Sequence, residues 1–120
     1  MSDAAIDTIT GYHAHIYFDT ASEETARVVR EEIDAKFDTT LGRWHHKPVG
    51  PHPRWMYRVA FAPTEFPKLI PWLALNRRGL TIFIHPETDD AVAYHTDHAL
   101  WMGEILDLDI AFLRKVAEKN

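Results

Sequence analysis

Residues 12–18, with the sequence YHAHIYF, alternate in the pattern of a half-buried β-strand. Successive side chains of a strand point to opposite faces, so His13, His15 and Tyr17 share one face and three apolar side chains share the other. Because a strand rises about 3.3 Å per residue, the two histidines lie roughly 6.6 Å apart. Two imidazoles at that spacing can converge on one metal ion or one bound substrate.

Histidine is abundant in this chain and cysteine is absent: the 120 residues include eight histidines and no cysteine. The lack of cysteine excludes disulfides, thiolate catalysis and cysteine-ligated zinc. A net charge of −5 without any basic run argues against nucleic acid as a partner. The chain has no signal-peptide pattern and no apolar run near the roughly 20 residues of a membrane helix, so we expect no membrane partner. We therefore expect a single domain, residues 1–120, that is soluble and cytoplasmic.

Hydrophobic periodicity and turn residues divide the chain into elements in the order β-α-β-β-α-β, followed by further helices. The predicted strands lie at residues 12–18, 41–46, 55–62 and 80–84. The predicted helices lie at residues 21–37, 63–76, 96–103 and beyond about 107. Between them, residues 47–54 hold three prolines and form a stiff loop, and residues 87–95 form an acidic loop.

The helix ends are predicted from their capping residues. Thr20 has the capping-box spacing with Glu23, and Thr64 is the expected N-cap of the second main helix. Pro71 is expected to kink that helix or to delay its regular start. For the last helix, we expect the cap to be Asp107 or Asp109.

The element order predicts an α+β fold of the ferredoxin-like type, with an antiparallel four-stranded sheet, both main helices on one face and extra C-terminal helices. The other face, which carries His13 and His15, is expected to be open. The first and fourth strands are antiparallel neighbours in this topology, so His85 at the end of the fourth strand lies near both histidines. An open face bearing Tyr17 needs cover in so small a domain, by a second copy or by the C-terminal segment, and we predict a homodimer.

Five histidines are the candidates for a functional site. His13, His15 and His85 are brought together by the topology, and His52 is added because the prolines around it hold its loop rigid. His98 can reach the same place from the predicted short helix. Nitrogen ligands of this kind suit both Zn²⁺ and Fe²⁺. A carboxylate ligand, if one is needed, is available from Glu87, Asp89, Asp90 or Asp97.

Arginines and aromatic residues near these histidines are candidates for binding a substrate. Arg43, Arg58 and Arg77 can each pair with a substrate carboxylate, because the guanidinium group matches its geometry. Trp55 and Tyr57, next to the proline loop, can wall an aromatic ring. Taken singly, each arginine is better explained as a surface or salt-bridge residue, and the tryptophans are better explained as part of the core.

The remaining histidines carry a weaker signal. His45 and His46 are adjacent in a predicted strand and point to opposite faces, so at most one of them can join the site. We expect His95, in the acidic loop, to be exposed to solvent.

Several of these segments together resemble the DOPA 4,5-dioxygenase family of small ferredoxin-like proteins. The matching pieces, in family order, are His13-Ala14-His15 followed by Tyr17-Phe18, Pro48-Val49-Gly50-Pro51-His52-Pro53, Asn76-Arg77, Leu80 to His85-Pro86, Asp97-His98 and Trp101-Met102-Gly103. The Gly-Pro-His-Pro and Trp-Met-Gly pieces are the specific ones, whereas the strand motifs alone are weak.

The resemblance implies extradiol cleavage of a catechol such as DOPA with O₂ at a non-haem Fe(II), with zinc as a possible replacement in a purified sample. It carries over His13, His15, His52 and His85 as the metal and catalytic set, with His98 as a second candidate acid–base. Within this set, His15 and His52 are candidates both for binding the metal and for catalysis. The motif does not separate metal ligands from proton-transfer groups. The implied partners are a small aromatic diol and O₂.

Two alternatives to this interpretation remain. The first is a non-catalytic, dimeric ferredoxin-like protein that binds a metal or a small ligand. The second is a cofactor-free monooxygenase on a similar fold, whose turnover would survive chelation. Metal content and oxygen uptake with catechols would separate the dioxygenase from the non-catalytic protein.

Overall fold

The computed structural model describes residues 2–119 of the chain. Its strands are β1 (Gly11–Phe18), β2 (Thr40–Leu41), β3 (Trp55–Phe61), β4 (Ile82–Glu87) and β5 (Leu100–Met102). Its helices are α1 (Glu23–Lys36), α2 (Phe66–Asn76), α3 (Ala91–His95) and α4 (Ile110–Lys119), with short 3₁₀ turns at Ile6–Thr8 and Pro63–Glu65. None of the helices within residues 2–119 is long and apolar enough to cross a bilayer.

The strands form an antiparallel sheet in the order β2-β3-β1-β4-β5, with β1 at its centre. In the register of this sheet, His13 lies opposite His85, and His15 lies opposite Arg58. The predicted ferredoxin-like α+β fold is confirmed, including the pairing of its first and fourth main strands. A fifth strand, β5, extends the sheet at its β4 edge.

The main core lies between one face of the sheet and the helices α1 and α2. Ala14 and Ile16 of β1 are fully buried there, as predicted. The same cluster includes buried side chains from both helices and the neighbouring strands: Ala26, Val29, Ile33, Tyr57, Val59, Leu69, Leu73, Ile82 and Ile84. Because burial of apolar surface drives folding, this face fixes the side to which the alternate residues of β1 point. The histidines of β1 therefore point away from the helices.

Part of the histidine face is covered from within the chain, so the expectation of an open face is wrong around Tyr17 and Phe83. Tyr17, Met56 and Phe83 are buried on it. Partly buried residues of the proline loop, of β5 with the residue before it, and of the segment before α4 pack against these three: Val49, Ala99, Trp101, Leu106 and Leu108. Of the two covers considered for this face, the C-terminal segment is the one observed.

The region after β4 differs from its prediction. Residues 91–95 form α3 because the side chain of Asp90 caps it, its Oδ1 accepting a hydrogen bond from the backbone N–H of Ala93 at 3.0 Å. The predicted helix at residues 96–103 is wrong, since Leu100–Met102 is a strand paired with β4. Pairing with an available sheet edge has prevailed here over local helical preference.

Several element ends also differ from prediction. The N-cap of α1 is Ser22 rather than Thr20, and its hydroxyl donates to Asp19 at 2.8 Å instead of bonding the helix. A 3₁₀ turn precedes α2, whose N-cap position is Glu65 rather than Thr64. In the last helix, Asp109 accepts from the backbone N–H of Phe112 at 3.0 Å, which confirms one of the two predicted caps.

Two other segments depart from the predicted strands and helices. Residues 41–46 form a strand only at their start, and His45 then makes an isolated bridge with Met56. Pro71 lies inside α2, so the helix accommodates it beyond the first turn. The missing N–H of a proline removes one hydrogen bond there, at a cost that packing of Leu69 and Leu73 against the core offsets.

Candidate active site

Three histidines meet on the face opposite the helices. Their donor nitrogens, one from each of His13, His15 and His85, all lie within 4.8 Å of one another. The β1–β4 register places His13 directly opposite His85, and His15 is two residues further along the same face of β1. His15 is 5% exposed and His85 is 1% exposed. We refer to these three residues as the histidine cluster.

The protons of His85 and His13 are placed by neighbouring oxygens. Nδ1 of His85 lies 3.0 Å from the carbonyl oxygen of Pro86, so it carries the ring proton and donates it. Nδ1 of His13 lies 3.1 Å from Oε1 of Glu87 and faces an acceptor in the same way. In a neutral imidazole the other nitrogen then holds a free lone pair. Both residues thus present Nε2 as a ligand atom.

Glu87 lies behind two of the cluster imidazoles. Its Oε1 is 3.1 Å from Nδ1 of His13 and 3.3 Å from Nδ1 of His85, and this buried oxygen has no other partner among residues 2–119. Burial raises the pKa of the Glu87 carboxyl group. A carboxylate that faces the outer nitrogen of a ligating histidine orients the ring and increases its basicity. Glu87 is thus placed to orient ligands.

Burial keeps the cluster imidazoles uncharged. It lowers the pKa of His13 to about 4 and that of His85 to about 3, with further contributions from nearby positive charge, including that of the other histidines. The pKa of His15 is also well below its usual value, first through burial and then through repulsion by His52 and His85. A neutral imidazole is the form that binds a metal ion.

The cluster fits a divalent metal ion on the chemistry of its donors. Nε2 of His15 lies 3.1 Å from Nε2 of His85, while Nδ1 of His15 is buried without a hydrogen-bond partner. Either tautomer of His15 therefore leaves one buried nitrogen unpaired, which is costly in a protein interior. Three neutral imidazoles with a carboxylate behind them match the nitrogen-rich sites of Zn²⁺ and Fe²⁺.

His52 lies beside the cluster and is paired with a tyrosine. Its ring centroid is 4.2 Å from that of His15, and its Nδ1 is 2.7 Å from the hydroxyl oxygen of Tyr17. Burial lowers the pKa of His52 to about 4. A backbone hydrogen bond to Val49 closes the turn that presents this ring. The structure thus brings His52 next to the cluster, as predicted from its proline loop.

His95 is a residue that the sequence analysis placed wrongly. It is half-buried rather than exposed, and its ring centroid lies 4.7 Å from that of His85. Its Nδ1 donates to the carbonyl oxygen of Ala91 at 2.6 Å, which leaves Nε2 with a lone pair. The signal that could have located it is Asp90, whose side chain starts α3 and so puts His95 in the last helical turn.

A cavity of about 370 Å³ adjoins the cluster. Its walls include two histidines of the site and two arginines, together with His45 and a buried methionine: His15, Arg43, His45, His52, Met56 and Arg58. Arg43 was predicted to bind a substrate carboxylate, and Arg58 lies opposite His15 in the sheet register. A cavity of this size accommodates a single aromatic ring with a short side chain.

Four predicted site residues lie elsewhere. Tyr57 is buried in the helix-side core and donates its hydroxyl proton to the carbonyl of Ala26 at 2.9 Å. Trp55 packs against the same helix-side core. The backbone of Arg77 caps the C-terminal end of α2, and His98 is exposed in the turn before β5, next to a small cavity beside the N-terminal segment. The structure does not bring these four to the histidine cluster.

The fold and the cluster together define a class: a small ferredoxin-like protein with a three-histidine group able to hold a metal ion. The sequence profile described as the Dopa 4,5-dioxygenase family matches residues 12–112. The chain belongs to this family.

Curated relatives and a solved structure are similar to the chain. A DOPA 4,5-dioxygenase of Amanita muscaria is 30% identical over 114 residues, which cover 88% of this chain and 50% of the relative. An uncharacterised 21.2 kDa protein of Botryotinia fuckeliana is 34% identical over 121 residues, covering 91% of this chain and 66% of the relative. The chain thus spans half to about two thirds of the length of these relatives.

The crystal structure of a proposed dioxygenase from Nostoc punctiforme superposes on the chain with a TM-score of 0.94. The two sequences are 53% identical, and the match covers 95% of this chain and 99% of that one.

Proposed function

We propose that the protein is an extradiol ring-cleaving dioxygenase that acts on a catechol such as DOPA with O₂, and that its working metal is Fe(II). The observation that carries the proposal is the position of His15, which belongs both to the histidine cluster and to the wall of the 370 Å³ cavity. A ring bound in the cavity would lie next to a metal held by the cluster. Family membership and the similarity to the Amanita muscaria enzyme support the same chemistry.

In this proposal His13, His15 and His85 hold the metal, which when bound would lower the pKa values of both catechol oxygens and supply the redox chemistry with O₂. Glu87 keeps the rings of His13 and His85 in the ligating orientation, through their Nδ1 atoms. These roles require neutral imidazoles, which the lowered pKa values of the cluster provide.

Two residues outside the cluster are given roles toward the substrate. Nε2 of His95 holds a lone pair, because Nδ1 donates to Ala91, and it is our candidate for accepting a phenolic proton. Arg43, at the cavity wall, is our candidate for pairing with a carboxylate on the substrate side chain.

The test is anaerobic loading of the full chain with Fe(II), followed by oxygen uptake with a panel of catechols. We expect stoichiometric oxygen consumption and a yellow ring-opened product with at least one catechol, both abolished by chelation. His85→Ala should lose metal and turnover together, while His46→Gln, which changes an exposed histidine paired with Glu23, serves as the matched control. Metal binding without oxygen uptake would favour the non-catalytic alternative, and turnover that survives chelation would favour the cofactor-free one.

A further inference from the structure

Tyr17 and His52 form a buried pair at the edge of the cavity. Tyr17 is 1% exposed and lies two residues beyond His15 on the same face of β1. Its hydroxyl oxygen is 2.7 Å from Nδ1 of His52, the usual length of a hydrogen bond donated by a hydroxyl group. The function proposed above assigns Tyr17 no role, yet the pair lies beside the cluster through the contact of His52 with His15.

The direction of this hydrogen bond follows from the available partners. A phenol keeps its proton at neutral pH, and the proton of a buried hydroxyl needs an acceptor. Among residues 2–119 the hydrogen-bond partner of the Tyr17 hydroxyl is Nδ1 of His52. If Nδ1 carried a proton and donated it, the hydroxyl proton of Tyr17 would be left without an acceptor. Tyr17 therefore donates, and Nδ1 of His52 accepts.

An imidazole that accepts at Nδ1 carries its proton at Nε2 when it is neutral. We propose that Tyr17 is a positioning residue that holds His52 in this tautomer, so that His52 acts as a hydrogen-bond donor to an anionic oxygen of a catechol bound in the cavity. In this state His52 is neither a metal ligand nor the base that removes the phenolic proton, because Nε2 has no free lone pair. The identity of the ligand rests on the proposed function, whereas the tautomer does not.

Other contacts of the site agree with a donor role. The three nitrogens within 4.8 Å of one another belong to His13, His15 and His85, so that group does not include His52. His95 has the opposite arrangement, with Nδ1 donating and Nε2 free, which gives the site one donor and one acceptor. A neutral imidazole whose N–H stabilises negative charge on a substrate oxygen is an established catalytic device.

The loop that carries His52 is fixed independently of the tyrosine. The backbone N–H of His52 donates to Val49 at 3.0 Å, and the carbonyl of Pro51 accepts from the backbone of Asp109 at 2.9 Å. Replacing the hydroxyl of Tyr17 should therefore change the tautomer of His52 without releasing its loop. This permits a specific test of the pair.

The test is a nitrogen-15 NMR measurement of the imidazole tautomers in the full chain, with and without added Zn²⁺, a diamagnetic metal. In the wild type we expect His52 to show a protonated Nε2 and an unprotonated Nδ1. Tyr17→Phe should shift His52 toward the other tautomer or to a mixture. Tyr57→Phe removes an equally buried hydroxyl that donates to Ala26 on the opposite face, and it should leave the His52 signals in place.

A ligand measurement extends the test without requiring turnover. We expect Tyr17→Phe to weaken binding of 4-nitrocatechol to the Zn²⁺-loaded chain by about tenfold, the effect of one hydrogen bond to a charged group. A wild-type His52 protonated at Nδ1, or His52 signals unchanged by Tyr17→Phe, would overturn the inference. If the wild-type protein shows the expected His52 tautomer but cleaves no catechol, the result would count against the proposed function and would still support the tautomer assignment.

Discussion

Nε2 of His15 and Nε2 of His85 lie 3.1 Å apart across the β1–β4 pair, although 70 positions separate the two residues in the chain. Two buried imidazoles this close cannot both be protonated, and burial lowers the pKa of each. The arrangement leaves Nδ1 of His15 buried without the hydrogen bond that a structural core would provide. Neutral imidazoles grouped around an unpaired buried nitrogen are typical of a ligand site rather than of packing.

The first prediction concerns Glu87, which faces the outer nitrogens of two cluster residues. Glu87→Gln keeps the size of the side chain and removes the charge that orients His13 and His85. We expect the affinity for Zn²⁺, measured by competition with a chromophoric chelator, to fall about 10- to 100-fold. Asp89→Asn alters an exposed acid two residues away and is the matched control. Equal affinity in both variants would remove Glu87 from the site.

The second prediction concerns substrate selection by Arg43. This side chain is exposed at the cavity wall, so its pairing with a carboxylate is partly screened by solvent. We expect Arg43→Ala to raise KM about two- to fivefold for a catechol with a carboxylate side chain and to leave KM for unsubstituted catechol unchanged. Arg114→Ala, on the exposed side of α4, should change neither value. An equal rise for both catechols would argue against a carboxylate contact.

The third prediction concerns the pH dependence of stability in the metal-free chain. The pKa of a histidine is about 6.5 when unfolded, and burial lowers it to about 4 for His13 and His52 and to about 3 for His85. Between these values the unfolded chain binds protons that the folded chain does not. Above pH 7 these histidines should therefore not change the free energy of unfolding with pH. As the pH drops from about 6.5 to 4, the free energy of unfolding should fall.

The slope can be measured by urea denaturation at several pH values. Each buried histidine contributes up to about 1.4 kcal/mol per pH unit within that window. His85→Gln removes one such group and should reduce the slope, whereas His46→Gln changes an exposed histidine and should not reduce it by a comparable amount. A slope that His85→Gln leaves unchanged would show that His85 is not buried in its neutral form.

The fourth prediction is that the protein forms a homodimer. The structure points to a different dimer surface from the one that the sequence suggested. Tyr17 is buried within the chain, so the uncovered sheet face that motivated a dimer is not present. Large apolar side chains are instead exposed along the β5 edge and just beyond it, with Leu100 47% and Ile105 80% exposed. We expect light scattering at micromolar concentration to give about twice the 13.9 kDa chain mass. A dimer disrupted by Ile105→Lys would place this surface in the interface, and a mass near 13.9 kDa would refute the prediction.

The sequence alone was sufficient for the four main strands, for the two main helices and for all three members of the histidine cluster. Alternation at residues 12–18 determined which side of β1 is buried, because a one-residue shift would expose Ala14 and Ile16 to water. The element order then placed the first and fourth strands together, and with them His13, His15 and His85. Proline spacing singled out His52, because prolines fix the backbone φ angles of its loop and so make it rigid without any tertiary contact.

Only the tertiary structure decided what surrounds those residues. The side chain of Asp90 and the free edge of β4 set the ends of α3 and β5, and so brought His95 to the site and left His98 outside it. The Tyr17–His52 bond joins positions 35 residues apart, and side-chain distances of that kind depend on packing that no local pattern encodes. Local periodicity is determined by the backbone, whereas the partner of a buried polar atom is determined by the whole fold.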